Sequence, residues 1–326
     1  MILVTGATGF LGSELVRQLL QQGKSVRALK RESSVIPAIL SEHTSIDWRE
    51  GDVLDYYALA EAMEGITEVY HCAAMVSFRK EDKKKLLKVN VEGTAHLVNL
   101  CLQNNVRKLV HVSSVTTIGQ NKNGDPGCED DHWQFDKGQS NYSISKYESE
   151  MEVFRGIAEG LKAVIVNPSI IIGKNAGNEG SGQLFETVRK GLKFYPGGSC
   201  GLVDVEDVAR MMIQLMDSDI QSERFIINAE NMTYRDLFTS IATGYGLTPP
   251  GIKLSPWIMR TGFLASSIAK AVTGKEYGIT KEILNSAFKT PKYSNKKIRE
   301  ALNVQFKPIS ESILEVCNGN YKPETL

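Results

Sequence analysis

Residues 4–12 read VTGATGFLG, and this stretch decides how the rest of the chain is read. It closes a short apolar run, MILVT, and opens an amphipathic pattern, FLGSELVRQLLQQG, over 10–23. A strand therefore runs into a helix, with glycines at 6, 9 and 12 in and just after the turn. Gly6 permits the tight turn, Gly9 lets the backbone approach a pyrophosphate, and Gly12 allows the helix to pack close to the sheet, the phosphates lying at the helix N-terminus. The glycine spacing alone would suit a strand-to-helix turn that binds nothing. Its place between strand and helix makes it a dinucleotide site.

Working outward, the first half keeps alternating short apolar runs with helical patterns: SVRAL, ITEVYHCAA, LLKVNVEGTAHLVNLCLQNN, KLVHVSS, YSISKYESEMEVFRGIAEG and KAVIVNPS. Such alternation predicts a parallel, doubly wound α/β sheet of the Rossmann type, with helices on both faces. Between Ile118 and Ser140 the chain turns polar and rich in Gly, Asp and Asn, a long loop after a strand of the kind that carries function. Beyond Asn167 the rhythm changes to glycine-rich segments, several helices and few strands. We expect a dinucleotide-binding domain over 1–166, with 202–228, including SERFIINAE, returning to it. A smaller, mostly helical substrate domain is expected from 167–201 and 229–326.

The 326-residue length favours one large domain plus a smaller one. Lys plus Arg and Asp plus Glu balance at 38 each, which leaves no electrostatic footprint for nucleic acid or an acidic membrane. The five cysteines, Cys72, Cys101, Cys128, Cys200 and Cys317, show no metal-ligand or disulfide spacing, so no metal is expected and reduced thiols in a cytoplasm fit best. MILVTG has no basic segment before its apolar run and does not read as a signal peptide. The most apolar stretch, WIMRTGFLASSIAKAV from Trp257, is broken by Arg260 and Lys270 and reads as an amphipathic helix rather than a membrane anchor.

The end of the second strand should lie near the adenosine ribose. Cofactors without the 2′-phosphate ask for an acidic residue there, whereas this chain offers Lys30 and Arg31, followed by Glu32. A guanidinium forks onto a phosphate, so NADP(H) is favoured, with NAD(H) the other cofactor the site could take. Asp52 and Val53, after the third strand, suit the adenine amine and ring, or equally a turn and N-cap. Ala73 and Ala74 end the fourth strand with small residues where a cofactor must lie against backbone. Asn90 stands in a helix with Gly93 and Thr94, and Ser113 and Ser114 end the fifth strand. Tyr142 and Lys146, at i and i+4, share one face of a helix; a bare pair of this kind is usually just solvated.

TGATGFLG, GDV, HCAA, VNVEGT, SSVTTIG, YSISK, NPSIIIG and LVDVEDVA occur here in the order and at the spacing of the extended short-chain dehydrogenase/reductases, the epimerase/dehydratase superfamily, and the chain resembles that family over nearly its whole length. The resemblance implies Thr8, Phe10, Leu11 and Pro168 in the cofactor site beside the three glycines. It assigns the catalytic serine to Ser114, five residues before Gly119. It makes Tyr142 the proton donor to a carbonyl oxygen, with Ser114 bonding that oxygen. Lys146 holds the ribose hydroxyls, and together with oxidised nicotinamide it lowers the phenol pKa toward neutrality. Asn90 would support a proton-relay water.

Within the family the chain looks most like the dihydroflavonol-reductase-like and hydroxysteroid-dehydrogenase-like branch, acting on a small-molecule ketone or secondary alcohol. The residues after Ser114, VTT, lack the Asp-Glu pair of the sugar dehydratases. A nucleotide-sugar epimerase with tightly held NAD, and a non-catalytic dinucleotide sensor, are the alternative readings. Homodimerisation through a helix face is a family expectation.

Overall fold

The computed structural model describes residues 1–119, 124–136, 138–177, 180–257 and 286–319. The amphipathic stretch after Trp257 lies outside the described residues, as do parts of the polar loop and of GKNAGNEGSGQ.

Seven strands form one parallel sheet: β1 (Ile2–Thr5), β2 (Val26–Lys30), β3 (Asp47–Glu50), β4 (Glu68–His71), β5 (Lys108–Val112), β6 (Ala163–Pro168) and β10 (Glu223–Ile227), in the order β10-β6-β5-β4-β1-β2-β3. All pairings in it are parallel. The strand order reverses at β1, so a crevice opens outside the carboxyl ends of β1 and β4, where doubly wound sheets bind ligands. A parallel strand covered on both faces has no polar side, and β6 accordingly buries all six of its residues.

Helices cover the two faces. On one, α1 (Phe10–Gln21) lays Leu11, Leu15, Val16 and Leu19 against the sheet beside α8 (Val205–Asp217), which contributes Val208, Met211, Met212 and Leu215. These positions recur at the three-to-four-residue period that puts side chains on one helical face. On the other face, α5 (Gly93–Gln103) and α6 (Asn141–Ala158) pack Leu97, Val98 and Val153 over Val69, Leu109 and Ile165.

Past β6 the chain builds a smaller sheet from β7 (Ile170–Ile172), β9 (Ser199–Asp204) and β11 (Glu230–Thr233), and β8 (Phe194–Tyr195) pairs with β12 (Ile252–Lys253). A separate cluster around Phe185, Leu202, Leu237, Ile241 and Ile313 forms its core. The boundary between the two cores therefore follows β6 to β7 on the way out and β9 to α8 on the way back. Among the described residues no helix is long and apolar enough to cross a membrane, and no cluster of His, Cys, Asp or Glu could hold a metal ion. All five cysteines are free.

Candidate active site

The crevice begins at the glycine turn. Gly6 has φ +69°, a backbone conformation that L side chains rarely adopt, and a Cβ there would stand 2.6 Å from the Ala73 amide nitrogen. Gly12 is tighter still, since its Cβ would meet the Gly6 carbonyl oxygen at 2.1 Å. Helix α1 thus packs on the turn itself. Its N-cap is Gly9, which offers no side-chain hydrogen bond, and its first turn carries no acidic residue. Exposed amides at a helix N-terminus with no carboxylate nearby form a site for phosphate. Thr8 and Phe10 flank Gly9 at the partly open rim, whereas Leu11 is buried in the core below. Ala73 donates its amide to the Thr5 hydroxyl at 3.3 Å, which fastens the end of β4 to β1. Ala74 beyond it is exposed, and Pro168 ends β6, paired with Ile227. These residues fit a dinucleotide laid across the ends of β1 and β4.

At the end of β2 the two cations differ. Lys30 is already tied to Glu50 at 2.7 Å, whereas Arg31 is exposed and has no ion pair among the described residues. The Asp52 side chain accepts from the Leu54 amide at 3.0 Å in a local turn, and the helix cap falls to Asp55, three residues later. Val53 is buried with Leu29, Leu59 and Leu97, and the absence of a side chain at Gly93 makes room for it.

Helix α6 brings the titratable groups together. The Tyr142 phenol stands beside the Ser114 side chain, whose hydroxyl works against the effect of burial on it. Ser114 also caps a short turn by accepting from the Thr116 amide at 3.2 Å. Ser113 instead points into the interior, its buried hydroxyl without a partner among the described residues. One helical turn beyond Tyr142, the buried Lys146 ammonium donates to the Val112 carbonyl at 2.7 Å. Asn90 is buried in a π-helical turn between Lys88 and Glu92. Its amide oxygen accepts from the Met75 amide at 2.7 Å, and its nitrogen donates to the Met75 carbonyl at 3.0 Å and to Ser145 at 2.9 Å. The Asn90 side chain therefore ties the segment after β4 to α6.

The electrostatics of the protein alone are governed by burial. Burial pushes the Tyr142 phenol up to about 12, and the influence that opposes it is the Ser114 hydroxyl rather than the charge of Lys146. Lys146 is itself lowered to about 8 by burial, against the opposing fields of Glu150 and Cys72. At neutral pH the phenol is protonated and the ammonium charged. Beneath Lys146, His71 is held between the hydroxyls of Thr5 (2.7 Å) and Thr94 (3.0 Å), and its ring centroid lies 5.2 Å from that of His111. Burial keeps both imidazoles neutral, with Lys146 adding to the effect.

Three features escape a reading of sequence alone. Phe78 sets its ring at a steep angle to Tyr142, 5.9 Å between centroids, and stays partly exposed, as does Val76 two residues before it. Nothing local marks a loop phenylalanine for this place. The polar loop after β5 is fastened to α6 by Trp133, stacked on Tyr147 at 4.2 Å between ring centroids, and is closed on itself by the Gly119 amide donating to the Asp131 carbonyl at 3.1 Å. The third is the buried carboxylate of Glu150, whose i+4 spacing from Lys146 was the available signal.

Comparison with known proteins agrees with this fold. Residues 2–228 match the model of the NAD dependent epimerase/dehydratase family. The chain is 32% identical to sterol demethylase protein B of Methylococcus capsulatus over 79% of this chain and 78% of that protein. It is 28% identical to a putative dihydroflavonol 4-reductase of Synechocystis over 97% and 93%. Among solved structures, gox2253 superposes with a TM-score of 0.83 at 29% identity, covering 98% of this chain and 97% of the other. The Thermus thermophilus UDP-glucose 4-epimerase in complex with NAD gives 0.76 at 21% identity over 98% of each chain, a likeness of fold.

Proposed function

The chain belongs to the NAD dependent epimerase/dehydratase family, and on that premise we propose that it is a net oxidoreductase that reduces a ketone or oxidises the corresponding secondary alcohol, with Tyr142 as acid/base. The observation that carries this reading is the Tyr142 phenol, set beside the Ser114 hydroxyl and packed against the Phe78 ring. A nicotinamide cofactor, when bound, supplies or accepts the hydride. Tyr142, protonated at neutral pH, donates its proton to the carbonyl oxygen as charge develops there. Ser114 gives that oxygen a second hydrogen bond, placed beforehand by the Thr116 amide. Lys146 holds its ammonium at the ribose side of the crevice, anchored by the Val112 carbonyl. In the alcohol-oxidising direction each proton movement is reversed.

The partly exposed apolar side chains of Val76 and Phe78 suit an uncharged ketone better than a sugar diphosphate, which asks for cationic and hydrogen-bonding partners beside the reacting carbon. NADP(H) is the cofactor we assign, with the free Arg31 as the 2′-phosphate partner. The UDP-sugar epimerase reading draws on fold likeness, and it makes a different demand: a tightly retained cofactor with no net turnover. Purified protein, stripped of carried-over nucleotide, should be offered apolar ketones, secondary alcohols and nucleotide sugars with each cofactor. The reading predicts a nicotinamide absorbance change with a member of the first two sets. Turnover confined to sugar epimerisation, with no absorbance change, would refute it.

A further inference from the structure

Glu150 lies one helical turn past Lys146 on α6, and its side chain is fully buried. Taking a carboxylate out of water costs several kcal/mol, on the order given for real proteins after relaxation, so buried acids are held by specific partners. The partners here converge on the site. Glu150 Oε1 accepts from the Thr117 hydroxyl at 2.9 Å and from the Asn167 amide. Asn167, with two amide hydrogens, also bonds the Ser114 carbonyl at 3.2 Å, and the Thr117 hydroxyl stands 2.9 Å from that same carbonyl, its single hydrogen shared between it and the carboxylate. Oε2 faces Arg224 Nη1 at 3.6 Å and makes no hydrogen bond among the described residues. Arg224, from the edge strand β10, gives its closer hydrogen bonds to the Glu129 and Asp131 carbonyls of the loop after β5.

We infer that Glu150 is a positioning residue of this site: its carboxylate is the counter-charge of the Lys146 ammonium and, through Thr117 and Asn167, the anchor that fixes the backbone of Ser114. One buried group thereby links the lysine and the serine, which approach Tyr142 from different elements. The inference rests on the reading of Tyr142, Ser114 and Lys146 as the reacting constellation. Glu150 and Lys146 stand one helical turn apart and form no ion pair among the described residues, so the carboxylate acts on the ammonium through its field, where it is the largest influence holding the lysine charged against its burial. The other titratable groups that feel Lys146 are Cys72 and His71 at the end of β4 and His111 on β5, and Arg224 stands behind Glu150. Of these neighbours, Glu150 is the one that sits on the lysine's own helix at the spacing that puts two side chains on one face.

Two substitutions separate charge from reach. Glu150→Gln keeps the length and an acceptor but removes the charge; Glu150→Asp keeps the charge but shortens the arm. Lys146 is followed in cofactor-free protein by its rate of acetylation from pH 6 to 10, read on the peptide that contains it, and NADPH affinity is titrated over the same range. Glu150→Gln is expected to move the labelling midpoint down by about one pH unit or more, as loss of a close opposite charge does. NADPH binding should then weaken at correspondingly lower pH. Glu150→Asp is expected to leave that midpoint in place and to lower kcat about tenfold or more with KM little changed, as Ser114 loses its anchor.

The inference is overturned if Glu150→Gln, shown to be folded by circular dichroism, leaves the midpoint unmoved and lowers turnover evenly at every pH. Should that variant fold poorly, Glu150→Asp decides, because a displaced midpoint with unchanged kcat contradicts both parts. The labelling profile needs no turnover, so a failure of this inference is distinguishable from an error about the reaction.

Discussion

The ammonium of Lys146 donates to the carbonyl of Val112 at 2.7 Å, two residues before Ser114. Helix α6 is thereby fastened to the very strand whose end carries the serine, and Tyr142 is placed on the first turn of the same helix, against the Ser114 side chain. Three groups from two elements are held by one buried cation and one hydroxyl. The arrangement accounts for why a polar helix, with little apolar surface of its own, is bound so closely to the sheet.

Removal of the Tyr142 hydroxyl tests the acid/base assignment. Tyr142→Phe keeps the ring and its contact with Phe78, so folding and cofactor affinity should be nearly unchanged. Turnover is expected to fall by roughly 10²–10⁴, the range for loss of a general acid/base. Ser114→Ala should lower turnover as well, whereas Ser113→Ala, altering a hydroxyl that faces the interior, should matter less. Steady-state rates for the three variants check this, and near-wild-type turnover in Tyr142→Phe would remove the assignment.

Arg31 and Lys30 should separate on substitution. Arg31 is free to meet a phosphate, while Lys30 is engaged with Glu50. Arg31→Ala is expected to weaken NADPH by about 1.5–3 kcal/mol, the worth of a charged hydrogen bond, and to leave NADH almost untouched. Lys30→Ala should have the smaller effect. Fluorescence titration of both cofactors reads this out, and equal losses for NADPH and NADH in Arg31→Ala would mean that the guanidinium is only solvated.

The glycine turn and the parallel sheet were legible because they rest on local rules. Gly6 and Gly12 are demanded by a backbone approach that any strand-to-helix phosphate turn makes, and period and spacing locate β1 to β6. What was not legible depends on long-range packing. The phenol of Tyr142 reads as lowered by Lys146 together with oxidised nicotinamide, whereas in the protein alone burial raises it, and burial is a property of the whole fold. Asp52 reads equally as an adenine partner or as a turn and N-cap; its side chain closes a local turn, and Asp55 takes the cap. Phe78 and Arg224 reach the site from a loop and from an edge strand far along the chain, and no local pattern announces either.

The buried histidines set the acid limit of stability. His71 and His111 have folded-state pKa values well below the ordinary 6.5, His71 at about 3, because burial disfavours the imidazolium. The unfolded chain therefore binds more protons below pH 6.5, and stability is lost as pH falls from there toward the folded-state values. Each histidine contributes up to about 1.4 kcal/mol per pH unit in that window. Neither ring nitrogen of His111 has a hydrogen-bond partner among the described residues, so His111→Leu, similar in volume, should flatten the acid limb. Urea unfolding of wild type and variant at pH 7 and pH 5 measures it. A stability difference that does not change between the two pH values would contradict the assignment.

The most direct measurement of the central claim is hydride bookkeeping. NADPH carrying deuterium at the transferable C4 position is supplied with the ketone that gives turnover, and the product alcohol is analysed by mass spectrometry. One deuterium is expected on the carbinol carbon for each NADPH consumed, with loss of that product in Tyr142→Phe. Interconversion of sugar epimers on a retained, unconsumed nicotinamide, with no labelled alcohol from any ketone, would contradict it.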